Sequence, residues 1–195
     1  MRNSYGRFKV AIDNSKLLIS AADLRKTTLV NRQVFYHASL AGAVAAWDSF
    51  IKLAIREFVS RIGDNTDPDL MVARQLIDTL VGKQLEKFNT PNYENCQALF
   101  QNCIAFDITP HWIWNVKSLN SQQVKERLNQ ILKIRHAFAH GTSLPSFIWL
   151  PRRANICYLN KMVVVDVSAF LENLAAVTTT GLERHLSASF VRRIP

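Results

Sequence analysis

The chain has 195 residues, 48% of them hydrophobic and 20% charged, a composition that fits one globular domain over residues 1–195 and excludes a disordered or fibrous chain. Its 24 Lys and Arg outnumber its 15 Asp and Glu, and the net charge of +9 favours a polyanionic partner: RNA, DNA or an anionic membrane face. The three cysteines, Cys96, Cys103 and Cys157, form no CxxC pair, which argues against a zinc ribbon or disulfide framework and for small buried thiols in a reducing, cytoplasmic setting.

Helical spacing dominates from the start. The first helix is predicted over Phe8 to Leu24, with Val10, Leu17, Leu18 and Ala21 on one side. Asp13 and Lys16 leave no signal-peptide core there. A long second helix is expected from about Arg32 to Ile62, and in it Asp48 and Lys52 interrupt the best apolar run, so no membrane span is predicted. The breaker cluster GDNTDPD, Gly63 to Asp69, ends it. Asp67 or Asp69 can start the third helix, which carries Leu70, Leu76, Ile77, Leu80 and Leu85.

Asn89-Thr90-Pro91 reads as the next helix start, a cap-type residue ahead of a first-turn proline. That helix, Asn92 to Ile104, presents Cys96, Leu99, Phe100 and Cys103 inward. Asp107 to Pro110 breaks the pattern before the aromatic group His111-Trp112-Ile113-Trp114. Ser121 is expected to cap a central helix that runs to about Ala139, with Gly141 as a left-handed stop. ICYL (Ile156 to Leu159) and MVVV (Met162 to Val165), either side of Asn160-Lys161, read as a short hairpin. A last helix follows from about Ser168, with a kink near Thr180-Gly181. The expected architecture is all-α with a short β-hairpin-like insertion before the C-terminal helix.

The central helix holds one anomaly. Val124, Leu128, Ile131, Arg135 and Phe138 follow 4-3-4-3 spacing, which at about 100° per residue sets Arg135 within roughly 20° of the middle of an apolar stripe. A guanidinium cannot shed its proton, so burying it unpaired is prohibitive. Either Arg135 pairs with an internal acid or the stripe opens into a wet cleft. His140, five residues on, faces away from Arg135 on an ideal helix, and a helix end at Gly141 can bend it back. His136 and His140, four apart, share a face and raise a metal reading, for which the nearby sequence supplies no third ligand.

The stretch Arg135-His136-Ala-Phe-Ala-His140-Gly141 resembles the Arg-polar-x-x-x-His signature of HEPN domains, helical bundles found in many prokaryotic RNases, toxins and antiviral systems. Three further segments are similar to the RiboL-PSP-HEPN branch. AAWDSF (Ala45 to Phe50) is like its Trp-Glu-x-Tyr helix segment, FNTPNYENCQALF (Phe88 to Phe100) like its Thr-Pro-Asn helix start, and DITPHWIW (Asp107 to Trp114) like its Asp-Ile-x-x-x-Trp connection. The resemblance spans about residues 33–141, with the hairpin and last helix, about 152–190, beyond it. Asp48 stands where the family usually has glutamate, and Phe50 where it has tyrosine.

The resemblance implies a HEPN-type antiparallel helical bundle and a metal-independent endoribonuclease without cofactor. Such a homodimer lines a composite cleft with paired arginines and histidines, and a toxin or antiviral-defence role follows from the same likeness. RNA supplies its own nucleophile, the 2′-OH, so cleavage to a 2′,3′-cyclic phosphate and a 5′-OH needs only proton transfer and charge stabilisation. Arg135 and His140 are the catalytic candidates; His136 and Asp48 are supporting ones. The departures at Asp48 and Phe50 keep a second reading, a catalytically inactive HEPN domain that binds RNA or a partner protein such as an antitoxin.

Other residues read more plainly. Trp47, Trp112 and Trp114 could stack bases but are expected first in the core or an interface, and His37 and His111 as hydrogen-bonded structural histidines. Arg152-Arg153 and Arg192-Arg193 are small basic clusters able to guide RNA or simply to solvate the surface.

Overall fold

The computed structural model describes residues 1–24, 26–62 and 68–191. Among these, six helices carry the fold: α1 (Arg2–Ala22), α2 (Leu29–Ile62), α3 (Pro68–Lys87), α4 (Tyr93–Ile104), α5 (Ser121–Ala139) and α6 (Lys161–Val191). Two short strands, β1 (Arg152–Arg153) and β2 (Ile156–Cys157), pair antiparallel before α6. The protein is thus all-α with a minimal hairpin, as expected. α1, α2 and α6 pack on one another, and α4 and α5 lie against the other side of α2.

α1 buries a different face from the predicted one. Val10 and Leu17 are exposed, while Phe8, Ile12, Ser15, Ile19 and Ala22 point inward. The inner stripe includes two serines that a count of apolar residues discards. Their hydroxyls are satisfied within the helix, Ser4 Oγ donating to the Met1 carbonyl at 3.2 Å and Ser15 Oγ to that of Ile12 at 2.7 Å. Small and hydrogen-bonded, they let α1 come close to α2: a Cβ built on Gly42 would sit 3.1 Å from Ser15 Cβ.

The hairpin also lies elsewhere than predicted. MVVV belongs to the first turn of α6, where Asn160 caps the helix by accepting from the Val163 N–H at 2.9 Å. Val163, Val164 and Val167 are buried, so tertiary packing overrides the β-preference of branched side chains. The strands precede that cap, and their turn is Ala154-Asn155. Gly181 lies inside α6 and is buried, and a Cβ there would meet Ile108 Cδ1 at 2.2 Å. The glycine permits close contact between α6 and the Ile108 segment.

α1 starts six residues before the expected Phe8, whereas the starts of α4 and α5 shift by a residue or two. Asn92, after Pro91, caps α4 by accepting from Asn95 N–H at 2.8 Å. Asn120 rather than Ser121 caps α5, in a capping box with Gln123, while Ser121 Oγ donates to the Thr109 carbonyl at 3.1 Å. Residues 63–67, most of the predicted breaker cluster, lie outside the described residues, as do Arg192 and Arg193.

Two helices do reach membrane-spanning length and apolarity, Leu29–Ile62 and Lys161–Ala188, contrary to the expectation from Asp48 and Lys52. Half or more of each apolar window, 56% and 50%, is buried against the rest of the protein, where it forms the core. Trp47 and Trp112 are fully buried there, edge to face at 5.5 Å. Trp112 Nε1 donates to Thr178 Oγ1 at 2.9 Å, tying the loop after α4 to α6. Cys96 and Cys157 are buried and Cys103 partly so; burial pushes the Cys103 thiol up to about 11, so it stays neutral.

Candidate functional site

The second half of α5 turns from core to surface. Val124, Leu128, Ile131, Leu132 and Ile134 are buried, whereas Arg135 is exposed and Phe138 is 40% exposed. Of the two ways to accommodate Arg135, the helix takes the wet one. Arg135 lines a cleft of about 150 Å³ between α5, α2 and the segment before α4, together with His136, Asp48 and Leu132. Among the described residues no carboxylate lies within ion-pair distance of its guanidinium.

The opposite wall is Asn89-Thr90-Pro91. Trp47 Nε1 donates to the Pro91 carbonyl at 3.1 Å and Asn95 Nδ2 to the Thr90 carbonyl at 2.9 Å, which pins this segment to α2 and α4. Asn129, on α5, accepts from the Tyr93 N–H at 3.1 Å. The cleft is therefore framed by fixed backbone, and the likeness of the Thr-Pro-Asn segment corresponds here to one of its walls.

The end of α5 is a Schellman motif. Gly141 has φ +63°, its N–H donates to the Phe138 carbonyl at 3.1 Å, and Thr142 N–H donates to the Ala137 carbonyl at 2.9 Å. The glycine stop is as predicted, but the swing of His140 toward Arg135 is not what it produces. His140 stays in line with His136, their rings 6.4 Å apart and within 11° of parallel, and it is not among the cleft-lining residues. The cap residue keeps nearly helical angles, φ −99° and ψ 5°, so the bend comes one residue too late to redirect it.

Asp48 also behaves differently from expectation. Its Oδ2 takes Lys52 Nζ at 2.8 Å, and it contacts neither Arg135 nor a histidine by hydrogen bond. Its Oδ1 is buried beside the cleft without a partner. The Asp48–Lys52 pair was legible in the sequence as an i,i+4 charge pair and was missed. The ring of His37 lies flat on Phe138, with centroids 4.4 Å apart and planes within 5°. His37 is not hydrogen-bonded as predicted: its Nδ1 is buried without a partner, and burial lowers its pKa. His111 is exposed near Phe106.

Among the described residues no group of three or more His, Cys, Asp or Glu is clustered tightly enough to hold a metal. The basic pair splits: Arg152 donates to Ser146 Oγ at 2.5 Å, while Arg153 is exposed on the hairpin, and neither lines the Arg135 cleft.

No curated protein and no solved structure matches the chain. The model of the RiboL-PSP-HEPN family matches residues 8–157, which adds α1 and the hairpin to the segments identified from sequence. A match over most of the chain, on an all-α fold with one small hairpin, points to a nuclease or RNA-related role, and the chain belongs to the RiboL-PSP-HEPN family.

Proposed function

We propose that the protein is a metal-independent endoribonuclease acting as a homodimer in the cytoplasm, with a toxin or antiviral-defence role. The observation that carries this reading is Arg135: an exposed guanidinium in a framed cleft, without a carboxylate partner among the described residues, with His136 beside it in the lining. Arg135 holds the scissile phosphate bidentately and stabilises the charge that grows on its oxygens. The 2′-oxygen attacks phosphorus as His140 removes its proton; the P–O5′ bond breaks, and the departing 5′-oxygen takes a proton from an imidazolium. His136, inside the cleft, orients the phosphate. Asp48 is a supporting acceptor through its free Oδ1, with Lys52 holding the other oxygen.

That His140 is not among the residues lining the cleft favours a composite site. α3 stands with Met71, Val72, Leu76, Ile77 and Leu80 all 47–64% exposed, on the helix that leads into the Asn89–Pro91 wall. A second copy that covers this stripe would bring a second Arg135 and His140 to the groove, and two facing cations would favour an anion between them. A catalytically silent domain that binds RNA or a partner such as an antitoxin is the second reading, favoured by the Asp48–Lys52 pair, in which the carboxylate hydrogen-bonds Lys52 and neither Arg135 nor a histidine.

The test is purified protein with end-labelled RNA in EDTA, beside Arg135→Ala and His140→Ala. Metal-free cleavage lost in both variants supports the nuclease, with cyclic phosphate ends in the products. Binding without cleavage supports the second reading. Full activity in His140→Ala overturns the site.

A further inference from the structure

A second cavity, of about 640 Å³, lies between the first turns of α2 and the β1–β2 hairpin. The hairpin turn has positive φ at both Ala154 and Asn155, 48° and 63°, the geometry of a two-residue type I′ turn. Arg153 and Ile156 are paired across the strands, so their side chains leave one face of the hairpin, and both line the cavity. On the facing wall Arg32 and Tyr36 are one helical turn apart on α2. Gln33 locks the walls together: its Oε1 accepts from the Leu159 N–H at 3.2 Å and its Nε2 donates to the Leu159 carbonyl at 2.6 Å.

The chemistry of this cavity is specific. Two guanidiniums reach it and none of its lining residues is acidic. Asp23, paired with Lys161 at 2.6 Å, is not among the lining residues. Arg32 lines the cavity, and its Nε is buried without an acceptor. The remaining lining is aromatic and aliphatic, with Tyr158 and Ile156 beside the arginines. An anion with a flat apolar body meets both demands, which describes a nucleotide: phosphate on the guanidiniums, base against ring and aliphatic surface.

The cavity is aligned with the Arg135 cleft. Gln33, His37, Ala41, Val44 and Asp48 follow one face of α2 at 4-4-3-4 spacing; the first lines the cavity and the last three line the cleft. Between them stands the His37–Phe138 stack. At 1.5 Å per residue the two ends of this line are about 22 Å apart, so a ligand touching both must be several nucleotides long.

We propose that this cavity is a remote RNA subsite, which holds one nucleotide of single-stranded RNA several positions from the phosphate bound at Arg135, with Arg32 and Arg153 on its phosphate. It rests on the RNA reading above, but its test does not need cleavage. The measurement is anisotropy of a labelled RNA decanucleotide and a labelled dinucleotide over a salt series, in a His140→Ala background. The decanucleotide should bind about tenfold more weakly to Arg32→Ala/Arg153→Ala, with a salt slope smaller by about two, while dinucleotide binding is unchanged. Arg153→Glu, on the exposed hairpin, should weaken the decanucleotide alike and guards against misfolding in the double variant. Unchanged decanucleotide affinity in both variants overturns the subsite. So does adenosine monophosphate binding the unaltered cavity as tightly as the decanucleotide does, which would mark a site for free nucleotide. If the parent protein cleaves no RNA yet the variants lose decanucleotide binding, the subsite stands and the nuclease reading falls.

Discussion

The two halves of α5 have the same helical geometry and opposite uses. From Val124 to Ile134 the helix gives its apolar side to the core; from Arg135 to His140 it presents polar and half-exposed groups at the surface. The change takes one turn and needs no break in the backbone hydrogen bonds. A continuous helix can therefore anchor a site with one end and furnish it with the other, and substitutions should separate the two roles.

The largest separation is expected at Leu128. Leu128→Ala removes a fully buried side chain and should cost about 2–5 kcal/mol in chemical denaturation, with activity per folded molecule unchanged. Arg135→Ala should do the reverse: cleavage falls about 10²–10³-fold while unfolding free energy moves by no more than about 0.5 kcal/mol. Equal losses of stability from both would break the division. Gly141→Val tests the junction. No neighbouring atom obstructs a side chain there, but φ +63° strains a branched residue, so about 1–3 kcal/mol of stability and part of the activity should be lost together.

Smaller effects concern what braces the surface half. Burial lowers the His37 pKa, so the folded protein favours the neutral ring. The unfolded chain then binds the proton more readily, and the neutral ring's stability, complete above pH about 6.5, is lost as pH falls toward the lowered value. His37→Phe keeps a ring against Phe138 without a titrating group, and its denaturation midpoint should respond less to acid between pH 7 and 5. A variant whose acid response equals that of the wild type would remove His37 from the account. Leu76→Ser/Leu80→Ser on α3 should change monomer stability by no more than about 0.5 kcal/mol, because both side chains are exposed, yet shift sedimentation from dimer to monomer. A persisting dimer would place the interface elsewhere.

Much of this was legible in the amino-acid sequence because it depends on local chemistry. Periodicity located most helices to within a few residues, but it started α1 at Phe8 instead of Arg2 and α6 at Ser168 instead of Lys161. Gly141 marked the end of α5, since a residue at positive φ is a local demand. The odd position of Arg135 was visible too, since a charge that cannot be neutralised is conspicuous in an apolar stripe. What the tertiary structure alone decided was which surfaces meet. It chose the serine-bearing face of α1 over its leucine face, drew MVVV into α6, and left Met71 to Leu80 of α3 exposed while burying Val81 and Leu85. A periodic pattern says which faces are apolar; only close packing between distant segments, at the distances Ser15–Gly42 and Ile108–Gly181 allow, says which of them are covered.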